Sequence, residues 1–205
     1  MKTLNIKDMN KEKRNSRLAI LIVMIIAAAC FRFIKMPPNF SPITGIALFG
    51  AAYFSRKYLA LIVPFLILWI SNLVLDNVFY AQWYEGFQWF SQPLVFVAFG
   101  GIVLLGFVFL KKVNFYRIIG ASLTASVLFF LVTNFGVWLG SPTYPQSFSG
   151  LILCYAAGIP FITNPGAEHY FFLNTVFGDL MFTVGLFGVF ELIKFQFPRL
   201  AKQRA

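Results

Sequence analysis

The chain has 205 residues, of which 59% are hydrophobic, 19% are aromatic and only 12% are charged. Soluble domains carry about 25% charged residues, so a water-soluble fold of this length could not bury its apolar surface. The net charge of +10 would suggest nucleic acid as a partner of a soluble protein. Here, however, the basic residues cluster at the ends of apolar runs, which is typical of a membrane protein.

Six apolar stretches follow a basic N-terminal segment, and each is a predicted transmembrane helix. They are Leu18–Ile34, Ile43–Phe54, Tyr58–Leu75, Leu94–Leu110, Arg117–Leu139 and Tyr170–Ile193. A seventh run, Leu151–Phe161, contains Gly158 and Pro160, which favours a re-entrant or interfacial segment between the fifth and sixth helices. The predicted fold is therefore all-α, with a six-helix membrane domain at residues 18–195 and basic tails at residues 1–17 and 196–205.

The distribution of lysine and arginine predicts the orientation of these helices. With six spans, all but Arg32 and Lys35 of the 17 basic residues fall on one side, so both termini are expected to be cytoplasmic. The outer connections are poor in basic residues and rich in proline and aromatic residues. We therefore expect the function to lie at the outer face.

A carboxyl group inside the last predicted helix is the strongest polar signal. Asp179 lies about 14 Å from the outer end of that helix, and Thr175 and Thr183 share its face at four-residue spacing. An acid near the middle of a bilayer is costly and is functional by default. The alternative is that Asp179 only pins two helices together.

The second apolar run is too short to cross the bilayer in full. It rises only about 20 Å against a hydrocarbon core of about 30 Å, so the preceding connection Met36–Pro42 must lie partly below the outer surface. Irregular backbone at that depth needs protein or a watery cavity around it. We expect this connection to be a cavity wall or lid, with Ser41 as the N-cap of the second helix.

Other polar residues lie near the outer ends of the predicted helices. Asn72 and Asp76 are one turn apart, as are Asn134 and Trp138. Arg32 lies at the outer end of the first predicted helix, on the side of the membrane that has few basic residues. Bonding between helices, snorkelling and an interfacial aromatic belt are the alternatives to ligand contact. The predicted substrate-binding residues are Arg32, Asn39, Asn72, Asp76, Asn134, Trp138, Tyr144, Asn174 and Asp179.

Recognisable catalytic and cofactor motifs are absent from the sequence. It contains no phosphate-binding loop of the Gly-x-x-x-x-Gly-Lys-Ser/Thr type and no nucleophile elbow. Cys30, Cys154 and His169 are too few for a metal site. We therefore predict no enzyme, no catalytic residue, no metal and no cofactor, and an ATP-driven step would require another chain.

Several stretches resemble one family of uncharacterised bacterial membrane proteins regarded as transporters. They are Arg32 with Pro37–Phe54, Val63–Asn72, Thr133–Trp138, Tyr144–Pro145, Gly150–Tyr155 and Asn174–Asp179. That family is similar in size and six-helix layout to the substrate-binding components of energy-coupling-factor vitamin transporters. The resemblance implies a multi-pass protein of the bacterial inner membrane with an outward-facing pocket. It also implies docking on a transmembrane coupling protein with ATPase subunits.

The leading hypothesis from the sequence is a substrate-binding membrane component for uptake of a small vitamin-like or micronutrient molecule captured from the outer face. One alternative is a scaffold or assembly protein whose intramembrane polar groups only hold helices together. Another is a stand-alone carrier coupled to protons through Asp179. The expected partners are a small molecule and the lipid bilayer, and no nucleic acid.

Overall fold

The computed structural model describes residues 6–159 and 171–200, which form helices and short connections with no strand among them. The helices are α1 (Ile6–Cys30), α2 (Ile43–Tyr53), α3 (Lys57–Val74), α4 (Pro93–Phe109), α5 (Phe115–Gly140), α6 (Phe148–Gly158) and α7 (Phe171–Gln196). The all-α prediction is confirmed for these residues. Parts of both predicted tails (1–5 and 201–205), the end of the predicted re-entrant segment and His169 lie outside the described residues.

Four helical segments are long and apolar enough to cross a bilayer: Glu12–Phe33, Lys57–Phe79, Phe115–Gly140 and Phe172–Gln196. Shorter apolar helices are α4, with 17 residues, and α2 and α6, with 11 each. At the standard rise α4 measures about 26 Å and α2 and α6 about 17 Å. The long apolar helices indicate a membrane protein. Four of them are long enough to cross a bilayer, and the predicted count of six crossings is not confirmed.

Large apolar side chains on the outside of the bundle support the same conclusion. Ile70, Val97 and Leu104 expose more than half of their surface. Soluble monomers rarely expose continuous apolar surface of this kind. Hydrocarbon is therefore the natural environment of the outer helix faces.

The N-terminal helix begins well before the apolar run that predicts it. The α1 helix starts at Ile6 rather than near Leu18, so much of the predicted basic tail is helical. Lysine, glutamate and arginine are good helix formers, which allows the helix to continue beyond its apolar part. Hydrophobicity therefore marks the membrane-embedded part of α1 and not its start.

The α2 helix starts one residue later than the predicted cap requires. The carbonyl of Pro42 accepts the first helical hydrogen bond, from Ile46 N at 2.9 Å, and Pro42 is the N-cap. The prediction that Ser41 caps this helix is wrong. The hydroxyl of Ser41 is buried and has no hydrogen-bond partner among the described residues.

The short α2 helix lies at the centre of the bundle, where it contacts α1, α3, α4, α5 and α7. All of its residues from Ile43 to Gly50 are buried, which explains why it is apolar on every side. Small residues permit this packing. A Cβ added at Gly45 would lie 3.0 Å from the backbone nitrogen of Thr183, so α2 and α7 meet almost backbone to backbone there.

The two ends of the bundle differ in chemistry. Arg17 donates to the carbonyl of Tyr53 at 3.0 Å and the Tyr53 hydroxyl donates to Glu191 at 2.5 Å, so the first part of α1 and the ends of α2 and α7 lie together. We call this the basic end. At the opposite end, the proline end, Asn174 at the start of α7 donates to the carbonyl of Pro38 at 3.0 Å. The basic end also carries Arg56, Lys57, Lys111, Lys112, Arg117 and Lys194.

Candidate functional site

Asp179 bridges three helices in the interior of the bundle. Its side chain is 3% exposed. The Ser126 hydroxyl on α5 donates to Asp179 Oδ2 at 2.6 Å, and the side chain of Thr44 on α2 is also hydrogen-bonded to the carboxyl group. The predicted polar residue of α7 is therefore held by two hydroxyls from other helices.

Further buried hydroxyls extend from Asp179 towards the basic end. Ser122, Ser126 and Thr183 are fully buried, and the Ser122 hydroxyl lies 3.4 Å from that of Thr183. With Thr44 and Asp179 they form a continuous group of polar side chains between α2, α5 and α7, which we call the polar column. Thr175, on the same face of α7, is buried one turn towards the proline end.

The proline-rich connection before α2 lies against α7 beside Asp179. A Cβ added at Gly178 would be 3.0 Å from the backbone nitrogen of Ser41 and 3.1 Å from Phe40 Cα. One turn earlier on α7, Asn174 holds the carbonyl of Pro38. Asn39 in this connection is exposed and has a φ of 62°, a left-handed conformation that asparagine tolerates better than most residues. We call residues 36–42 the proline segment.

Arg32, in the 3₁₀ turn Phe31–Phe33 after α1, forms a second group with the end of α3. Its Nη2 donates to Asn72 Oδ1 at 2.6 Å, and its Nη1 donates to the Ser71 hydroxyl and, at 3.5 Å, to the carbonyl of Leu68. Two nitrogens of one planar guanidinium thus serve three acceptors. The arginine is bound to α3 rather than extended along the surface.

Asp76 lies near this arginine at the end of α3, in the π-helical turn Leu75–Phe79. Its side chain is 7% exposed and accepts a hydrogen bond from the Ser91 hydroxyl at 2.6 Å. The charge of Arg32 attracts Asp76 electrostatically, but no ion pair joins them in the described part of the chain. A half-buried arginine and a buried carboxyl group therefore lie close together at the proline end.

Replacing Arg32 by lysine is expected to lower the free energy of unfolding by about 1–2 kcal/mol, because one ammonium cannot serve acceptors arranged around a planar fork. Thermal unfolding in detergent would measure this change. The matched control is Lys35→Gln on the same connection. Because Lys35 is exposed, this variant should melt within about 1 °C of the wild type. An unchanged melting temperature for Arg32→Lys would contradict the assigned contacts.

The remaining predicted residues form a third group where α5 meets α6. Asn134 donates to the carbonyl of Phe130 in its own helix at 2.9 Å. Trp138 Nε1 donates to the carbonyl of Pro145 at 2.9 Å, next to Tyr144 in the connection before α6. The Trp138 contact joins the end of α5 to the α5–α6 connection, and in the described part of the chain no hydrogen bond links Asn134 or Trp138 to Asp179.

The nine predicted residues thus lie in three groups near the proline end rather than in one hydrogen-bonded site. Arg32 borders a cavity of about 10 Å³, which has room for one water molecule at most. Thr44, Ser122 and Ser126 were not predicted from the sequence. Ser122 and Ser126 stand one turn apart in an apolar run, beside Ala121 and Ala125, and that spacing is the signal that could have identified them.

A much larger cavity of about 620 Å³ lies at the basic end. The basic residues there were used in the sequence analysis only to predict the orientation of the helices in the membrane. The charged lining residues of the cavity are Arg17, Lys111, Glu191 and Lys194. Its apolar lining includes Ile118 and Val184, which follow the polar column along α5 and α7. The polar column therefore leads from Asp179 towards this cavity.

Comparison with known proteins gives one match. The model of a family of unknown function, DUF6580, matches residues 12–200 of the chain. No curated protein and no solved structure matches it.

Proposed function

The chain belongs to the DUF6580 family, and we propose that it is a membrane component that binds a small molecule, of vitamin or micronutrient size, and takes part in its uptake. The observation that carries this proposal is the polar column. A carboxyl group that is 3% exposed, with hydroxyls from two other helices bonded to it, lies in the interior of a mainly apolar helix bundle. Such intramembrane groups are expensive and generally mark a substrate or ion pathway.

The proposed arrangement has six crossings with both termini in the cytoplasm, in a bacterial inner membrane. In this arrangement α1, α2, α3, α4, α5 and α7 cross, while α6 lies within or along one leaflet. The lengths of α1, α3, α5 and α7 support four of these crossings, and α4 with 17 residues is at the lower limit for a span. The concentration of basic residues at one end supports its assignment to the cytoplasmic side.

The proline segment is the proposed outer lid. It covers α7 at Gly178, immediately beside Asp179, and is held by the hydrogen bond from Asn174 to Pro38. Under the assigned topology this segment faces outward, so a ligand captured from outside would reach Asp179 only after it moves. The 620 Å³ cavity at the other end would be the route towards the cytoplasm.

The energy for uptake is proposed to come from a separate transmembrane coupling protein with ATPase subunits. The sequence has no phosphate-binding loop of its own. The chain has about 200 residues and a closed outer lid. In the proposed arrangement a second protein would drive the release of the bound molecule to the cytoplasm.

The hydrogen bonds around Asp179 favour a proton-coupled carrier as a second candidate. The Ser126 hydroxyl lies 2.6 Å from Asp179 Oδ2 and 3.0 Å from the carbonyl of Ser122. One hydroxyl proton cannot serve both acceptors fully. Both bonds are satisfied when Asp179 carries a proton and donates to Ser126, so a proton bound at this site fits the geometry.

The complete burial of the same contacts also fits a scaffold or assembly protein. In that case Asp179 has only to join α2, α5 and α7, because buried polar side chains hydrogen-bond across helices in membranes. The two functions differ in what a ligand does. A scaffold binds no small molecule at Asp179, whereas a binding component does.

The direct test is whether a small molecule stabilises the purified protein. Mass spectrometry of the detergent-purified protein should find a co-purifying molecule, and that molecule at 100 times its Kd should add about 2.7 kcal/mol of stability. For about 200 residues this corresponds to a rise of roughly 5–10 °C in melting temperature. Absence of any bound molecule, together with no shift across a panel of vitamins and cofactors, would contradict the proposal.

A further inference from the structure

The basic-end cavity has the composition of an anion-binding site. Three cations line it, Arg17, Lys111 and Lys194, against one carboxylate, Glu191. At about 620 Å³ it has the size of pockets that hold small organic ligands. Its wall thus carries an excess of two positive charges in a space large enough for a molecule.

The one carboxylate in this wall already has partners. Glu191 Oε1 accepts from the Tyr53 hydroxyl at 2.5 Å and forms an ion pair with Lys194 at 2.6 Å. This ion pair offsets the charge of Lys194. The positive electrostatic potential in the cavity therefore comes mainly from Arg17 and Lys111. Lys111 has no acidic partner in the described part of the chain.

Arg17 has donor capacity that its surroundings do not use. Its Nη2 donates to the carbonyl of Tyr53 at 3.0 Å, but its Nε is buried without a hydrogen-bond acceptor among the described residues. A buried donor of a charged group without an acceptor costs free energy. An anionic ligand in the cavity would supply negative charge beside this guanidinium.

Part of the cavity lining is apolar. Ala52, Val113, Ile118, Val184 and Phe187 line it. Inorganic ions alone would leave this surface in contact with water. The combination of two uncompensated cations and an apolar wall fits a ligand with one anionic group and an apolar body.

We propose that the basic-end cavity binds an organic anion, a carboxylate or phosphate attached to an apolar group. This chemistry could come from a free solute or from the headgroup region of an anionic lipid. The proposal does not depend on the uptake function, since a lipid or solute bound here would also serve a scaffold. The cavity lies at the end opposite to the proline segment and shares no residue with the nine predicted ligand contacts.

The test removes one charge from the cavity lining and a matched charge beside it. Lys111 and Lys112 are both exposed, but only Lys111 lines the cavity, so Lys111→Gln removes a lining cation and Lys112→Gln does not. Phenyl phosphate and uncharged benzyl alcohol are the soluble probes, measured by titration calorimetry in neutral detergent. Phosphatidylglycerol and phosphatidylcholine are the lipid probes, measured by native mass spectrometry.

Binding of phenyl phosphate but not benzyl alcohol, weakened about fivefold to tenfold by Lys111→Gln and less than twofold by Lys112→Gln, would support a free organic anion. Retention of phosphatidylglycerol over phosphatidylcholine with the same dependence on Lys111 would support a lipid. The proposal is overturned if neither anionic probe binds. Equal effects of Lys111→Gln and Lys112→Gln would also overturn it, because the charge would then act from the general surface.

Discussion

Replacing Asp179 by asparagine is expected to reduce ligand affinity or uptake by about tenfold to a hundredfold while the protein stays folded. The change removes a group that can carry charge or a proton, and such losses amount to about 1.4–2.8 kcal/mol of binding free energy. Asparagine keeps an oxygen that can accept the 2.6 Å hydrogen bond from Ser126. The measurements are uptake of the co-purifying molecule into vesicles and the melting temperature of the purified variant.

Two hydroxyl deletions on α5 provide the matched comparison for this experiment. Ser126→Ala removes the donor to Asp179 and should weaken binding severalfold. Thr124→Ala removes an exposed hydroxyl whose one hydrogen bond among the described residues is to the carbonyl of Gly120 in its own helix, at 2.8 Å. Uptake by Thr124→Ala should therefore stay within about twofold of the wild type.

The outcome also separates the three candidate functions. A scaffold requires Asp179→Asn to destabilise the bundle, and no small molecule binds at Asp179 in the wild type. A proton-coupled carrier requires that collapse of the proton gradient, in vesicles without ATP, abolishes uptake. Uptake that survives both Asp179→Asn and loss of the gradient would leave the polar column without a role in transport.

The position of apolar helices follows closely from the sequence because hydrophobicity alone determines which segments enter a bilayer. The predicted run Leu94–Leu110 and the observed α4, Pro93–Phe109, differ by one residue at each end. The start of α1 could not be predicted in this way. Polar residues from Ile6 onward form helix without changing the apolar pattern, and the π-helical turn Leu75–Phe79 has no signal in hydrophobicity either.

The polar site was predictable in part, since residues on one helix share a face by spacing alone. Asp179, Thr175 and Thr183 were identified for this reason, and all three are buried. Their partners Thr44 and Ser126 belong to helices distant in sequence, and only the packing of α2 and α5 against α7 brings them together. The basic-end cavity was missed because its cations also obey the charge rule for topology, which explained them without a cavity.

Replacing Gly178 by leucine is expected to be the most destabilising single change at the proline segment. A side chain there would start 3.0 Å from the backbone nitrogen of Ser41 and 3.1 Å from Phe40 Cα. Backbone atoms cannot rotate away as a side chain can, so the proline segment must move off α7. Overpacking of this kind costs about 3 kcal/mol, which corresponds to a fall of roughly 6–12 °C in melting temperature for a chain of this length.

Gly185→Leu is the matched control on the same helix, because a Cβ at that exposed position meets nothing within 4 Å. Leucine is favoured over glycine in a helix interior by about 0.8 kcal/mol, so this variant should be neutral or slightly more stable. If both variants unfold alike, α7 does not pack against the proline segment at Gly178. If only Gly178→Leu is destabilised and its ligand affinity also falls, closure of the proline segment over Asp179 is coupled to ligand binding. A lid requires this coupling, whereas a fixed contact between helices does not.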